Sequence, residues 1–359
     1  MKNTLKALAL VLSAILLLTT VTAFAEEEYE ICMVNCALNI EFCNIEGKGA
    51  EQAAADLGNV TFNYYAPMNA SSVTEQVDMI NTAVAYEPDA LLIAALDSQA
   101  IQSALLTCKE KGIVVLGYDC GIVDPPEGTV SATVATDNKA AAAMAAEAMM
   151  TDEAFASAVE NATAENPVLI AALLPDLAGQ TALDRLSGFA TAMKELAEKF
   201  HPGAVEVSGH VSIDAPAEKN PAVKIQLFVP GSSDEADIRN TAQTVLLNEN
   251  LIGLFCFNEA VVTSVLSATG DGLDLDRENG KYKDLIVVGF DSGKTQMDAI
   301  RAGYLYGAVT QNPYQIGYQS VMLSYEAITG GEISNRDSGA LWYDASNIDD
   351  PEVAQALYE

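Results

Sequence analysis

The residues of this sequence best suited to chemistry are amides, carboxylates and a few aromatics that follow short apolar runs. In chain order they are Asn39, Glu41 and Phe42, then Asp119 with Cys120, Thr136, Asn258, Phe290 with Asp291, and Gln311. Carboxylates accept hydrogen bonds and amides both donate and accept them. Such a set suits the hydroxyl groups of a small polar ligand, with an aromatic face against an apolar ring face. Two histidines, His201 and His210, leave little material for a histidine-rich metal centre or a histidine-based triad. No catalytic residue, metal or cofactor is assigned.

The chain has 359 residues, with 18 Lys+Arg against 50 Asp+Glu and a formal net charge of -32. Half of its residues are hydrophobic, enough for a substantial core of about two domains. The acidic balance argues against nucleic acid and anionic lipid as partners, because both need a basic face. Lys2 and Lys6, the apolar run Leu8 to Leu18 and Ala23-Phe24-Ala25 describe an export signal cleaved after Ala25. Its removal takes away two basic side chains and no acidic ones, so the exported body is more acidic than the whole. No lipid anchor is predicted, since Cys32 lies too far past the A-x-A site. Cys32 and Cys108 sit in apolar runs and pack as small hydrophobes. Cys36, Cys43, Cys120 and Cys256 approach the chemistry-bearing positions, and a disulfide among them stays open.

The elements that must position these residues alternate regularly. The runs YEICMVN, VTFNYY, ALLIAAL, GIVVLGY and TVSATVA read as strands, with helices beginning near Asn44, Ser72, Ser98 and Asn138. The series then restarts with PVLIAAL, AVEVSGHV, LIGLFCF, DLIVVGF and YLYGAVT, and helices from Gln180, Ser232, Glu259, Lys294 and Pro313. Ser72 to Glu75 and Ser232 to Glu235 have the form of capping boxes. Asp214 to Pro230, with three prolines, reads as an insertion or long loop. Two successive βα series predict two doubly wound, parallel-sheet, Rossmann-like α/β domains. In such sheets ligands sit beyond the carboxyl ends of the strands. Those ends are Asn39 to Phe42, Ala94 to Ser98, Asp119-Cys120, Thr136-Asp137, Asp176 to Gln180, Asn258-Glu259, Phe290-Asp291 and Gln311-Asn312.

An ordered set of motifs carries a family resemblance: N-I-E-F at 39–42, A-L-L-I-A-A-L-D-S after the third strand, G-I-V-V-L-G-Y-D at 112–119 and V-A-T-D-N at 134–138. D-R-L-S-G-F at 184–189, F-N-E at 257–259, V-V-G-F-D at 287–291 and T-Q-N-P-Y-Q-I-G at 310–317 follow. From about Ile31 to Ile348 the chain resembles the type I periplasmic sugar-binding proteins of ABC importers, the ribose-binding type, whose fold is shared by the sugar-binding domain of the lactose repressor family. The resemblance implies a monomer of two lobes, 29–136 plus 312–336 and 137–311 plus 337–359, joined by three hinge strands and closing over ligand. It also implies delivery to a membrane permease. Asp119 and Asp291 would accept from ligand hydroxyls, and Asn39, Asn258 and Gln311 would donate and accept. Phe42 and Phe290 would sandwich the ring, with Thr136 beside it.

Several positions depart from the pentose-binding pattern. Glu41 replaces an aromatic, Cys120 and Leu183 replace arginines, and Ala94 replaces an amide. Two missing guanidinium forks argue against ribose and leave another sugar, a sugar derivative or, through Glu41, an amine-bearing ligand. The competing readings are a secreted hydrolase that uses two carboxylates and a binding protein that presents ligand to a chemosensory receptor.

Overall fold

Strands that are apolar along their length must be covered on both faces, and this chain does so twice. The computed structural model describes residues 27–175 and 180–358. The expected export signal with its cleavage site, and Asp176 to Gly179 after one strand, lie outside the described residues. The first series runs Tyr29–Val34 (β1), Glu41–Leu57 (α1), Val60–Tyr65 (β2), Val73–Ala85 (α2), Ala90–Ile93 (β3), Gln102–Lys111 (α3), Val114–Tyr118 (β4) and Ala132–Ala135 (β5). The second runs Asn138–Met149 (α4), Glu153–Glu160 (α5), Val168–Leu173 (β6), Gln180–Glu198 (α6), Val205–Ser208 (β7), Val223–Phe228 (β8), Glu235–Leu246 (α7), Leu251–Cys256 (β9), Glu259–Ala268 (α8), Ile286–Phe290 (β10), Lys294–Arg301 (α9) and Gly307–Gln311 (β11). Pro313–Ile328 (α10), Arg336–Asp337 (β12), Ala340–Tyr343 (β13) and Pro351–Ala356 (α11) complete it.

The sheets have the orders β12-β5-β4-β3-β1-β2 and β13-β11-β10-β9-β6-β8-β7. Apart from the added edge strands, both follow one plan. In the first series β1 pairs with β2 on one side and β3 on the other, and in the second β6 pairs with β8 and β9 in the same way, all parallel. Among the described strands only β13 is antiparallel, against β11. The predicted fold class is therefore the observed one. Each sheet has its own core: Ile31, Leu92 and Leu116 in the first, Ile170, Phe255 and Val288 in the second, all fully buried. Among the described residues no helix is long and apolar enough to cross a membrane.

Three local expectations are corrected. Where a long loop was expected between Asp214 and Pro230, β8 enters the sheet between β6 and β7. Its burial alternates, with Val223, Ile225 and Leu227 inward and Lys224 and Gln226 outward, so it lacks the continuous apolar run of its neighbours. The two capping boxes do not form, although helices do begin there. The Ser72 hydroxyl turns back to Asn69 at 3.2 Å, and the Ser232 hydroxyl donates to Asp237 at 2.7 Å while Asp234 takes the cap position.

The chain passes between the sheets three times, after β5, after β11 and between β12 and β13. The first and third passages are tied together. Ser338 N donates to Ala135 O at 3.0 Å, Asp137 N donates to Asp337 Oδ1 at 3.0 Å, and the Thr136 and Ser338 hydroxyls are 3.3 Å apart. The returning helix α10 lies on α1 so closely that a Cβ on Gly317 would meet the Glu46 carbonyl oxygen at 1.8 Å. That atom is backbone and cannot swing away. Gly317→Ala is expected to cost about 1–3 kcal/mol in urea unfolding; a loss under about 0.5 kcal/mol would mean that the two helices part freely.

Candidate functional site

The two sheets end in matching turns. Asp119 follows β4 with φ 53°, and Asp291 follows β10 with φ 66°, both in the left-handed region that non-glycine residues seldom occupy. Each backbone amide is claimed by the neighbouring strand: Asp119 N donates to Val134 O at 3.0 Å and Asp291 N donates to Val309 O at 2.8 Å. The turns therefore aim one carboxylate from each sheet beyond its carboxyl edge. The two are near enough to interact electrostatically.

Asp291 belongs to a tightly bonded wall. Arg185 on α6 donates through Nη1 to Asp291 Oδ2 at 3.2 Å, and Gln311 Nε2 donates to Asp291 Oδ1 at 3.0 Å. The Asp291 carbonyl accepts from Gln296 Nε2 and from the Tyr343 hydroxyl, both at 2.9 Å, which fixes the turn from α9 and β13. Arg185 is 4% exposed. Its remaining donors reach Asn138 Oδ1 at 2.8 Å and Phe257 O at 3.1 Å, and its guanidinium lies 3.7 Å above the Phe290 ring. Sequence reasoning missed Arg185. The available signal was its register: it shares the inward stripe of Ala182, Leu186 and Phe189, where a charge must be paired.

The opposite wall is acidic and sulphur-bearing. Burial pushes the Asp119 carboxyl up to about 6, and the Asp291 charge adds to this. Cys36 and Cys120 flank it, with Sγ donating to Ala94 O at 3.4 Å and to Ala95 O at 3.5 Å. The neighbouring Cys120 side chain, followed by burial, holds the Cys36 thiol well above its usual range. Gln76 on α2, 1% exposed, was also missed. Its amide nitrogen donates to Asn35 O at 3.0 Å and Ala94 O at 2.8 Å, and its oxygen accepts from Leu96 N at 2.9 Å, locking the ends of β1 and β3. Beneath lies Glu46, fully buried, accepting from Asn35 Nδ2 at 2.9 Å. Its other oxygen and the Tyr118 hydroxyl have no partner among the described residues.

The remaining expected residues divide. Asn39 is exposed at the lip before α1. Asn258 Oδ1 caps α8 by accepting from Val261 N at 3.1 Å, the ordinary turn role. Thr136 is drawn into the contact between the first and third passages, beside Ser338. Glu41 is tied to Lys48 at 3.1 Å and Asn44 at 3.1 Å. It lines a groove of about 620 Å³ between α1 and the Ala354–Tyr358 segment, not the space between the aspartates. The expected aromatic sandwich is not formed. Phe290 is fully buried, with Arg185 over its face and Phe255 at its edge, so it supports the arginine. Phe42 instead meets Tyr358 edge-on, with centroids 5.5 Å apart, and Tyr358 bonds to Ser292 through its hydroxyl at 3.3 Å and its amide at 3.0 Å. All six cysteines are free.

Two parallel α/β sheets with flanking helices are also the architecture of known proteins. The family described as periplasmic binding protein domain matches residues 31–332. The chain belongs to the periplasmic binding protein family. Its fold is the type I form, and its members bind their ligands without transforming them. The ribose import binding protein of Bacillus subtilis (strain 168) is 26% identical over 324 residues, 88% of this chain and 87% of that one. The D-allose-binding periplasmic protein of Escherichia coli (strain K12) is 23% identical over 322 residues, 88% and 89% of the two chains. A solved structure from Brachyspira murdochii, described as an ABC transporter, LacI family transcriptional regulator, has a TM-score of 0.76 at 34% identity. It covers 92% of this chain and 99% of its own.

For this periplasmic binding protein, two outcomes follow. Arg185→Ala strands the Asp291 carboxylate and is expected to lower stability by about 3–5 kcal/mol in chemical denaturation; a change under about 1 kcal/mol would mean that Asp291 re-pairs elsewhere. Burial, then the Asp119 charge, raises the Glu46 carboxyl well above its ordinary value. Its contribution to stability is thus complete below the unfolded carboxyl value of about 4.3 and is lost as pH rises through the folded one. Glu46→Gln copies the protonated acid, so its melting temperature should fall less than that of wild type between about pH 5 and pH 8. Parallel profiles would show that Glu46 is already ionised in the folded protein.

Proposed function

We propose that the protein is the extracytoplasmic solute-binding component of an ABC importer, taking a sugar or sugar-like ligand in the cleft and handing it to the permease. The observation that carries this reading is the facing pair Asp119 and Asp291, one per sheet, with Gln311 and Arg185 ordered around the second. A ligand with hydroxyls on opposite edges satisfies both carboxylates only when the lobes approach, which links binding to closure. The three passages near Thr136, Asn312 and Ser338 serve as the hinge, dividing lobes 29–136 plus 312–336 from 137–311 plus 337–359. The protein acts as a monomer.

The named relatives support a sugar. One is a ribose import protein, one a D-allose-binding protein, and a solved solute-binding protein from Agrobacterium vitis, 25% identical with a TM-score of 0.64, holds D-fucose. Cys120 and Leu183, where the ribose-binding pattern has arginines, weigh against ribose itself. With Phe290 buried under Arg185, the apolar ring face has no aromatic clamp from the second lobe. The ligand is therefore held chiefly by polar contacts and discriminated through its hydroxyls.

A thermal-shift screen of pentoses, hexoses, deoxysugars and amino sugars, followed by calorimetry, tests this. One sugar class is expected to bind with 1:1 stoichiometry. Asp119→Ala and Gln311→Ala should each weaken it by about 1–3 kcal/mol, roughly tenfold to a hundredfold. No stabilisation by any sugar at millimolar concentration, or full affinity in both variants, would overturn the reading.

A further inference from the structure

The wall around Asp119 contains a group of atoms that the sugar reading does not use. Cys36 follows β1 and Cys120 follows β4, on either side of β3, and their thiols reach the consecutive carbonyls of Ala94 and Ala95. The two sulphurs and a carboxylate oxygen of Asp119 all lie within 4.8 Å of one another. We propose that Cys36, Cys120 and Asp119 form a binding site for a thiophilic divalent cation of the zinc class, open to the cleft on its fourth side.

The geometry suits a cation. The two cysteines lie in the turns after strands that flank β3, and both thiols are free. A tetrahedral ion with metal–sulphur bonds of about 2.3 Å holds its sulphurs about 3.8 Å apart, so small side-chain rotations from the present arrangement suffice. Two sulphurs and one carboxylate also select a borderline-soft ion over Mg²⁺ or Ca²⁺, which prefer all-oxygen shells.

Charge points the same way. Among the described residues Asp119 forms no ion pair, and the guanidinium it senses, Arg185, is committed to Asp291. Glu46, one of whose buried oxygens has no partner among the described residues, lies close enough to feel the Asp119 charge and does not balance it. A cation would pair with the Asp119 carboxylate. Binding exchanges the two thiol protons to solvent as the sulphurs become thiolate ligands, with no change of oxidation state. Cys120 is exposed, so the ion has an entry path and a free coordination position toward the cleft.

The inference goes beyond the sugar reading and stands without it, because its test contains no sugar. The reduced, chelator-treated full chain is titrated with Co²⁺ under argon and then with Zn²⁺. The expected result is one Co²⁺ per chain, with the near-ultraviolet thiolate-to-cobalt absorption of sulphur ligation. Zn²⁺ should displace it; Mg²⁺ and Ca²⁺ should not. Cys36→Ser and Cys120→Ser should each lose affinity at least about tenfold, with circular dichroism confirming that each variant is folded. Absence of the absorption in wild type would overturn the proposal. So would its full retention in Cys120→Ser, which would put the ion on other cysteines, or a Cys36–Cys120 disulfide in the unreduced protein found by peptide mass spectrometry.

Discussion

A guanidinium taken out of water has to be paired, and most of the cleft follows from how Arg185 meets that demand. Left alone it would cost several kcal/mol. It therefore draws on Asp291, Asn138 and the Phe257 carbonyl and rests on Phe290. These partners come from α4, β10 and the segment after β9, so one buried charge fixes the relative positions of three elements at the carboxyl edge. The Asp291 turn is then held from below by Gln296 and Tyr343. Because the pair neutralises itself, the second lobe presents an ordered but nearly neutral wall.

The first lobe solves the same topology with different chemistry. Gln76 does there with a neutral amide what Arg185 does across the cleft, clamping strand ends by hydrogen bonds alone. Among the described residues no cation pairs with Asp119, and burial makes its carboxyl harder to ionise than an exposed one. The two sheet ends thus differ in chemistry although their backbones are nearly alike.

What the sequence could disclose depended on the kind of signal. Strand ends are visible as stops in apolar runs, so Asp119, Asp291 and Gln311 stood out, and the restart of the βα series gave both sheets. Side-chain direction is not visible in that way. Phe290 looked like a ligand wall because it ends a strand, yet its ring turns inward to carry Arg185. Arg185 itself looked like one letter of a motif inside a helix. β8 was overlooked because alternation and flanking prolines resemble a loop when neighbouring strands are continuous. Asn258 illustrates a choice that spacing alone leaves open, since an amide after a strand can serve a ligand or cap the next helix, and its oxygen does the latter.

Tyr358 has the most distant consequence. It is bonded to Ser292 in the second lobe while its ring meets Phe42 on the first, so the last described residue spans the mouth of the molecule. Moving the two sheets apart at this point would break that ring contact, an interaction of about 0.5–1.5 kcal/mol. The tail is thereby tied to the turn that carries Asp291, whose charge Tyr358 senses. An appendage fused after Tyr358 would pull on that turn.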